Sequence, residues 1–429
     1  MLTRFDLVYY LAAPIALPYF AYRAVRRGKY RESARGMLGL GLPDRDHRHR
    51  YRNGSIWIHA VSVGETVAAK SIAPHAAEIA PGLPLVATTI TETGQAHARK
   101  ILTEAAEVSY FPVDLSWNVR RFLRCFKPRV FIMMETELWP NFLTLAAKGG
   151  AEIFMVNGKL SEKSFRGYRR GRAGLRPAFN AIRAFCMQTE ADAERMRELC
   201  GRPGDVYVTG NCKFDVPFAV LSPEAAEGVR RQYGIGPPRP CVVVGSTHPG
   251  EEEIVLDAFA EARRTIPDLQ MILSPRHPER FQEVATLCRK HKAGFEVSRA
   301  TAPRVESPDV LVLDTMGELA RVYGLGDVAV VAGSFVPIGG HNLLEAAAHA
   351  VPVVVGPHMR AQKEIDRLFV GGESGCVRCD ATTLAATLVN LFRDPARRRE
   401  IGAQARQTAE KNQGSAPASV EVIKRYLGR

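Results

Sequence analysis

The stretch "SIWIHAVSVGETVAAK", residues 55–70, runs from a strand through a tight turn into a helix. Its first half is apolar and β-rich, and its second half has the apolar spacing of a helix. Open α/β sheets are built from such units and bind ligands beside the carboxyl ends of their strands. A phosphate-binding turn is usually glycine-rich, but here a single glycine, Gly64, is followed directly by a carboxylate, Glu65. The stretch therefore predicts an α/β sheet with an acidic group at its ligand-binding edge.

Two series of apolar, β-rich segments alternate with helical segments along the 429 residues. Near-continuous Val, Ile and Phe are typical of parallel strands that helices cover on both faces. The first series is "SIWIHAVS", "LPLVATTI", "VSYFPV", "RVFIMMET", "AEIFMVNG", "AFCMQT" and "VYVTGN". The second series is "CVVVGS", "LQMILS", "FEVSR", "VLVLDT", "VAVVAGS", "VPVVVGP" and "GCVRC". We therefore predict two Rossmann-like, doubly wound α/β domains that face each other across a cleft.

The predicted domain boundaries follow changes in this rhythm. The first thirty residues differ in composition from the rest, and the segment that ends in "GIGPPRP" has the proline and glycine content of a linker. The last helical segment has no strand after it, so it can pack back on the first domain. The predicted divisions are 1–30, an anchor with a basic collar; 31–220, the first domain; 221–240, the linker; 241–405, the second domain; and 406–429, the C-terminal helix.

The formal net charge of +13 predicts an anionic partner, which can be a nucleic acid, a lipid surface or a phosphorylated substrate. An apolar fraction of 46% and a charged fraction of 24% are those of a globular protein. The eight cysteines are scattered, which favours a reducing compartment over a disulfide framework. The pair Cys376 and Cys379 is a weak metal or redox signal, and strand packing explains it more simply.

The first thirty residues combine an apolar segment with a dense basic one. The apolar segment approaches the length of about 20 residues that spans a bilayer, but Asp6, Pro14 and Pro18 interrupt it. The charge follows the apolar segment, which argues against a cleavable signal peptide and places the residues after 22 on the cytoplasmic side. We predict a membrane anchor that spans the bilayer or lies in its interface, with a buried N-terminal helix as the alternative.

Polar clusters follow nearly every predicted strand, where such folds keep their function. "SPRHPERF" puts Arg276 and His277 before a helix, where a guanidinium and free N–H groups predict an anion site. "GGHNLLEAA" places Asn342 at another helix start, with Glu345 one turn in. Bare backbone can approach a phosphate there, and Glu345 can accept from sugar hydroxyls or cap its helix. The turn at 316–318, in "DTMGEL", offers further backbone N–H groups.

Several other chemistries have no support in the sequence. The histidines are dispersed without the spacing of metal ligands, so we expect no metal. The sequence has no GxxxxGK[ST], GxGxxG or GxSxG motif. The classes of P-loop ATPase, ordinary dinucleotide enzyme and serine hydrolase therefore lose support.

A second concentration of charge is "GKLSEKSFRGYRRGRAGLRP", residues 158–177, in which Phe165 and Tyr168 interleave with basic residues. Such a stretch is most simply a solvated face, and it can also be a nucleic-acid groove or a patch for lipid phosphates. The N-terminal segment favours the lipid, because an anchor would hold the protein beside a membrane.

Together these clusters resemble the Kdo transferases, membrane-associated glycosyltransferases of the GT-B fold that move 3-deoxy-D-manno-octulosonic acid (Kdo) from CMP-Kdo to a lipid A precursor. The resemblance extends from the N-terminal segment to about residue 365. It rests on "WIHAVSVGE", "METELWPN", "GNCKFD", "GSTHPGEEE", "SPRHPERF", "DTMGEL" and "GGHNLLE", in this order. One departure is visible, since the last motif of the family has prolines where this chain has Leu343 and Ala346.

The resemblance implies an inverting GT-B glycosyltransferase on the cytoplasmic side of the inner membrane, with no metal, no cofactor and no nucleic-acid partner. CMP-Kdo would lie mainly on the second domain, and the lipid A precursor would enter over the first. The implied donor-site residues are Lys213, Arg276, His277, Met316, Gly317, Glu318, Asn342 and Glu345. The residues expected at the acceptor are Arg169, Arg170 and Arg172.

An inverting transfer needs a carboxylate that takes the proton of the acceptor hydroxyl. Glu65 is the predicted base, because it stands near a helix N-terminus in a basic protein, and both features favour the charged carboxylate. Gly64 beside it leaves room for a bulky acceptor. Glu135 and Glu137 in "METELWPN" are the competing candidates, and Glu65 can also be simply a helix cap.

Three alternatives stay open at this point. Another GT-B glycosyltransferase could use a different nucleotide sugar and a lipid-linked acceptor. A sugar-nucleotide epimerase has a similar architecture but needs no lipid anchor. A non-enzymatic, membrane-tethered protein that binds nucleic acid or lipid would explain the charge but not the acids at the strand ends. The number of Kdo units, the acylation of the acceptor and the oligomeric state have no signal in the sequence.

Overall fold

The structure, a computed structural model, describes residues 2–14, 31–43, 47–217, 220–235, 239–303, 305–370 and 375–428. The chain divides into two compact units. The first unit is Met1–Val216 together with Asn412–Arg429, and the second is Pro217–Lys411. Each unit is built on a parallel sheet of its own, as the alternation of strands and helices predicts.

The first unit contains a seven-stranded parallel sheet with the order β3-β2-β1-β4-β5-β6-β7. The strand order reverses between β1 and β4, and such a switch point is where open α/β sheets bind ligands. All seven strands predicted from the first series are present. They are β1 (Ser55–His59), β2 (Leu85–Thr89), β3 (Ala105–Tyr110), β4 (Pro128–Met134), β5 (Glu152–Gly158), β6 (Ile182–Met187) and β7 (Val206–Val208).

Helices cover both faces of this sheet, and a separate apolar cluster forms on each face. The helices are α1 (Arg31–Met37), α2 (Val63–Ile72), α3 (Ala76–Ile79), α4 (Glu92–Ile101), α5 (Ser116–Phe126), α6 (Pro140–Lys148), α7 (Glu162–Arg170), α8 (Arg172–Ala181) and α9 (Glu190–Cys200). On one face Trp57 of β1 is fully buried, and four phenylalanine rings meet it edge-on at centroid distances of 5.0 to 6.1 Å. Edge-to-face contacts of this kind hold the strand that leads to Glu65.

The N-terminal helix, residues 4–14, packs on the first unit through polar side chains. Asp6 is fully buried and accepts a hydrogen bond from the backbone N–H of Ser116 at 2.8 Å. Tyr9 donates its hydroxyl to Asp114 at 2.7 Å. The aspartate that interrupts the apolar segment is therefore the residue that attaches this helix to the N-terminus of α5.

The opposite face of the N-terminal helix is apolar and exposed. Leu7, Val8 and Leu11 are 63%, 61% and 71% accessible to solvent. Among the described residues no helix combines the length and the apolar character needed to cross a bilayer. Residues 15–30, which include most of the predicted basic collar, lie outside the described residues.

The second unit also has a seven-stranded parallel sheet, with the order β10-β11-β9-β8-β12-β13-β14. The seven strands predicted from the second series are all present. They are β8 (Cys241–Thr247), β9 (Gln270–Pro275), β10 (Val297–Arg299), β11 (Val310–Val312), β12 (Val328–Val331), β13 (Val353–Val355) and β14 (Cys376–Arg378). Its helices are α10 (Pro223–Tyr233), α11 (Glu251–Thr265), α12 (Phe281–Lys290), α13 (Leu319–Val322), α14 (Leu344–Ala347), α15 (Lys363–Val370), α16 (Leu384–Arg393) and α17 (Pro395–Lys411).

Two predicted boundaries need correction. The segment 221–240, expected to be a linker, contains α10 and belongs to the second unit. Its Ser222 caps α10 by accepting from the N–H of Ala225, and Val229 and Tyr233 are buried, so one face of the helix packs like any other. The predicted boundary at 405/406 falls inside α17, whose seventeen residues run without interruption to Lys411.

The last helix, α18 (Ser415–Tyr426), returns to the first unit. Asp215 accepts hydrogen bonds from the N–H groups of Gly414 and Ala416, the latter at 2.8 Å. Val420 and Ile423 of α18 are buried in the core on the face of the sheet that α2 also covers. The positive end of the helix dipole stabilises a carboxylate at the N-terminus of a helix. Asp215 therefore attaches α18 to the first unit.

Asp215→Ala should lower the free energy of unfolding of the first unit by about 1–2 kcal/mol, because the first N–H groups of α18 lose their acceptor. All three tryptophans of the chain, Trp57, Trp117 and Trp139, lie in the first unit, so urea unfolding followed by tryptophan fluorescence reports on that unit. Asp268→Ala, at an exposed position of the second unit, is the control. Equal midpoints for Asp215→Ala and the wild type would show that α18 does not depend on this contact.

Candidate active site

Glu65 lies in the first turn of α2, directly after the carboxyl end of β1. Its side chain turns back along the chain, so Oε2 accepts from the N–H of Val61 at 2.8 Å and Oε1 accepts from the hydroxyl of Ser62 at 3.0 Å. The residue as a whole is 7% exposed. Glu65 therefore acts as a helix cap, and the same two bonds hold its carboxylate in one orientation at the edge of the sheet.

The surroundings of Glu65 favour the neutral acid, contrary to the expectation from the sequence. Burial, with a further contribution from the charge of Glu135, raises the pKa of Glu65 to about 7, although the bonds from Val61 and Ser62 oppose the rise. The helix N-terminus and the basic composition are outweighed because desolvation acts on the carboxylate directly. Near neutral pH Glu65 is present in both forms, which is the condition that suits a general base.

Two further glutamates follow the carboxyl end of the neighbouring strand β4. Glu135 has a left-handed backbone, with φ of 58°, which is uncommon outside glycine and is held by its N–H bond to the carbonyl of Val156 at 2.9 Å. Burial and the charge of Glu135 raise the pKa of Glu137. Because Glu135 also raises the pKa of Glu65, the three predicted carboxylates interact at the switch point of the sheet.

Lys213 is the cation of this group. Its Nζ lies 3.9 Å from Oε1 of Glu135, and a Cβ placed on Gly64 would lie 3.7 Å from the same Nζ. The side-chain oxygen of Asn157, at the end of β5, accepts from the N–H of Cys212 at 3.0 Å and so positions the turn that carries Lys213. The predicted residues Glu65, Glu135, Glu137 and Lys213 are therefore brought together in the first unit.

The arginines predicted to bind the acceptor are not equivalent. Arg172 donates from Nε to the carbonyl of Leu199 at 2.9 Å and so caps the C-terminus of α9. Arg169 lies 3.7 Å from Glu198 and stacks on Phe165. Arg170 is exposed and has no carboxylate partner among the described residues, so it is the arginine of the three that is most available to an anion.

In the second unit Arg276 follows β9, and its backbone N–H donates to the carbonyl of Thr247 at 3.0 Å. The guanidinium has no carboxylate partner within the described part of the chain. It nevertheless acts on its neighbours, because its charge contributes to lowering the pKa of His248 and His341 and opposes the rise at Glu345. Arg276 therefore provides an uncompensated cation beside Glu345, while His277 next to it is exposed.

The sequence leaves open whether the carboxylate of Glu345 caps its helix or binds a ligand, and the structure gives the capping role to Asn342. The side-chain oxygen of Asn342 accepts from the N–H of Leu344 at 3.1 Å, so Asn342 is the residue that caps this short helix. Glu345 makes no hydrogen bond among the described residues, and burial raises its pKa to about 7. The half-buried carboxylate has no partner in the described part of the chain, so it is available to a ligand hydroxyl.

In the turn at 316–318, the carboxylate of Glu318 already has partners within the fold. Glu318 accepts from the hydroxyl of Tyr233 at 3.2 Å and forms an ion pair with Arg321. Gly317 has a φ of 85°, which suits glycine, and the side chain of Met316 is 50% exposed. The backbone of this turn is thus open, whereas the carboxylate of Glu318 serves to hold it.

Comparison with known proteins gives matches over nearly the whole chain. The family described as 3-deoxy-D-manno-octulosonic-acid transferase (kdotransferase) matches residues 26–216. The 3-deoxy-D-manno-octulosonic acid transferase of Haemophilus influenzae is 30% identical over 98% of this chain and 97% of its own length. That of Bordetella pertussis is 33% identical over 87% of each chain. A glycosyltransferase of solved structure from Rickettsia africae is 14% identical over 87% of this chain and 99% of its own, with a TM-score of 0.55.

This chain belongs to the Kdo transferase family. It is a glycosyltransferase of the GT-B type with two α/β domains, each built on a parallel sheet, as the order of its motifs predicts. The epimerase and the non-enzymatic binding protein are therefore set aside.

Three residues of this Kdo transferase were not singled out from the sequence. Asn157 positions the turn of Lys213 and itself has a left-handed backbone, with φ of 58°. His248 and His341 stack with ring centroids 5.1 Å apart, and their Nε2 atoms are 2.8 Å apart. Both histidines stand inside the quoted motifs "GSTHPGEEE" and "GGHNLLE", but only the folded chain brings them together.

Glu65→Gln should raise the stability of the first unit relative to the wild type as the pH rises. The folded-state pKa of Glu65 is raised from 4.5 to about 7, so the wild type loses stability as the carboxyl ionises through that range, and the variant does not. The difference should grow by about 3 kcal/mol between pH 4.5 and pH 8. Urea unfolding followed by tryptophan fluorescence measures it, with Glu104→Gln at an exposed position as the control. A difference that stays constant with pH would contradict the raised pKa.

Proposed function

We propose that this Kdo transferase moves Kdo from CMP-Kdo to a hydroxyl of a lipid A precursor, with inversion at the transferred carbon. The observation that carries the proposal is Glu65, a carboxylate oriented by two hydrogen bonds, with a pKa of about 7, at the ligand-binding edge of the first sheet. A hydroxyl is a poor nucleophile until its proton is taken, and a base with this pKa can take it near neutral pH.

The chemical step needs one bond to form while another breaks. The acceptor oxygen attacks the anomeric carbon of Kdo, the bond from that carbon to the phosphate oxygen of CMP breaks, and the hydroxyl proton passes to Glu65. Lys213, next to Gly64 and Glu135, supplies a positive charge beside the base. That charge can balance the carboxylate of Kdo, and it limits the repulsion among the three glutamates.

The donor nucleotide is assigned to the second unit. Arg276 has no carboxylate partner among the described residues, and a guanidinium can bind a phosphate through two N–H groups. Glu345, half-buried and without a hydrogen bond in the described part of the chain, can accept from ribose hydroxyls. The open backbone at Gly317 and the region of Asn342 complete this site, while Glu318 holds the turn.

The acceptor is assigned to the first unit and to a membrane surface. Leu7, Val8 and Leu11 of the N-terminal helix are exposed on one face, and exposed apolar side chains of this kind insert into the headgroup region. Arg170, which is exposed and has no carboxylate partner in the described part of the chain, can bind a phosphate of the acceptor. We propose the cytoplasmic side of the inner membrane as the location.

Glu65→Gln should lower the turnover of Kdo transfer by about 10²-fold or more, the scale of a lost general base, and leave the affinity for CMP unchanged. Turnover is measured by mass spectrometry of the product from CMP-Kdo and a lipid A precursor, and affinity by calorimetry with CMP. Glu137→Gln is the matched control, because it removes a carboxylate of the same cluster. Near-normal turnover in Glu65→Gln would move the base to Glu135 or Glu137, and tighter binding of UDP than of CMP would favour another nucleotide sugar.

The double variant Leu7→Ser, Leu11→Ser should bind less to vesicles that contain anionic phospholipid, because it removes the most exposed apolar side chains of the N-terminal helix. Co-sedimentation with the vesicles measures the bound fraction. The matched control is Val208→Ser, Val220→Ser, which removes two apolar side chains that are 45% and 50% exposed elsewhere. Equal binding of the two double variants would exclude a specific role of the helix.

A further inference from the structure

The first unit has a cavity of about 670 Å³ that lies at the edge of the sheet opposite to Glu65. Its walls come from the turn before β1, the start of β4 and the carboxyl-terminal ends of α5 and α6. Glu65 and Glu135 follow the carboxyl ends of the same two strands, so the cavity is not part of the candidate active site. The N-terminal helix packs at the N-terminus of α5, and the eleven residues of α5 span about 16 Å.

Among the residues that the structure describes, the wall of the cavity carries six cations and no carboxylate. The cations are Arg52, Arg120, Arg124, Lys127, Arg129 and Lys148. None of them forms an ion pair with a carboxylate of the described residues. At the same edge of the sheet, by contrast, Arg183 at the start of β6 pairs with Glu152 at the start of β5 at 2.9 Å. Cations in close proximity without a countercharge repel one another, so this group favours an anion from outside.

Helix dipoles explain part of this accumulation but not all of it. Arg124, Lys127 and Lys148 lie at the C-termini of α5 and α6, where a cation is favoured. Arg52 follows the short 3-10 helix His47–Tyr51 and Arg129 lies on β4, so neither belongs to the last turn of α5 or α6.

Arg129 is also held in place by the backbone beneath it. A Cβ on Gly54 would lie 2.4 Å from Cγ of Arg129, so the arginine stem rests on bare backbone that only glycine provides. The turn before β1, the start of β4 and the helices α5 and α6 thus place these cations around one concave space.

We propose that this cavity binds a soluble organic molecule that carries two or more phosphates, of the class of nucleoside di- and triphosphates. Guanidinium groups pair with phosphate oxygens through two N–H groups, and six cations exceed what one phosphate can balance. The volume lies within the range of about 300–1,000 Å³ of small-molecule sites. Leu123 and Leu145 line the same space and provide an apolar surface for a ring.

Phosphates can also belong to lipid headgroups, which share this chemistry. The surface that we assign to the membrane includes the N-terminal helix at the opposite ends of α5 and α6, so the cavity faces away from it. The soluble source is therefore favoured, and the experiment separates the two sources.

The test is calorimetry with adenosine triphosphate and with inorganic triphosphate, in the presence of saturating CMP so that a donor site is occupied. The double variant Arg52→Gln, Arg129→Gln should weaken the binding of both probes by about tenfold or more, because two charge-assisted contacts are lost. The control Arg99→Gln, Lys100→Gln removes the same charge from exposed positions at the end of α4 and should change the affinity less than about twofold. Basal Kdo transfer should be unchanged in both variants.

Three results would overturn the proposal. In the first, the wild type does not bind either triphosphate. In the second, the two double variants lose the same affinity. In the third, the wild type binds only vesicles with anionic phospholipid, and the Arg52, Arg129 double variant no longer binds them. Tryptophan fluorescence during urea unfolding verifies that the variants are folded. If the first variant is unfolded, Arg124→Gln, Lys148→Gln, at two exposed positions of the cavity wall, takes its place with the same expected loss.

Discussion

The constraint on which the rest of this structure depends is that both sheets are parallel and covered on both faces. Strands such as Val242–Val244 and Ile56–Ile58 are buried on both sides, so they cannot carry polar groups toward solvent along their length. Polar side chains are therefore confined to the loops at the two edges of each sheet. At the carboxyl edge of the first sheet this confinement brings Glu65, Glu135 and Lys213 into one small volume.

Confining these carboxylates to a buried site disfavours their charged forms, and this shift suits the proposed role of Glu65. Burial of the carboxylate, with a smaller contribution from the charges of Glu135 and Glu137, raises the pKa of Glu65 to about 7. The N–H of Val61 and the hydroxyl of Ser62 keep the group from becoming a permanently neutral acid. The same bonds cap α2, so the contact that stabilises the helix also fixes the direction of the carboxylate. Helix cap and general base are thus compatible roles of one side chain.

The sequence predicted the strands and the positions of the polar loops, because both follow from local apolar patterns. All fourteen strands came from runs of β-branched and aromatic residues, and Glu65 was found because it stands in a turn between two such patterns. A local pattern does not predict which distant residue each side chain contacts. Arg172 looks like its neighbour Arg170 in the sequence, yet it caps α9, twenty-seven residues farther along the chain. The pair His248 and His341, ninety-three residues apart, and the left-handed backbone of Asn157 likewise depend on contacts that form only on folding.

The same difference explains why a net charge of +13 predicts so little by itself. Many of the described arginines have a carboxylate partner, as Arg280 has in the buried Glu252 at 2.6 Å, and their charge is used within the fold. An arginine that lies beside a cavity or a strand end without such a partner has its charge available to bind an anionic ligand. Within the described segments, Arg276 in the second unit and Arg129 in the first are of this kind, although their sequence surroundings differ. The position of the carboxylates, more than the number of cations, therefore decides where this protein can bind an anion.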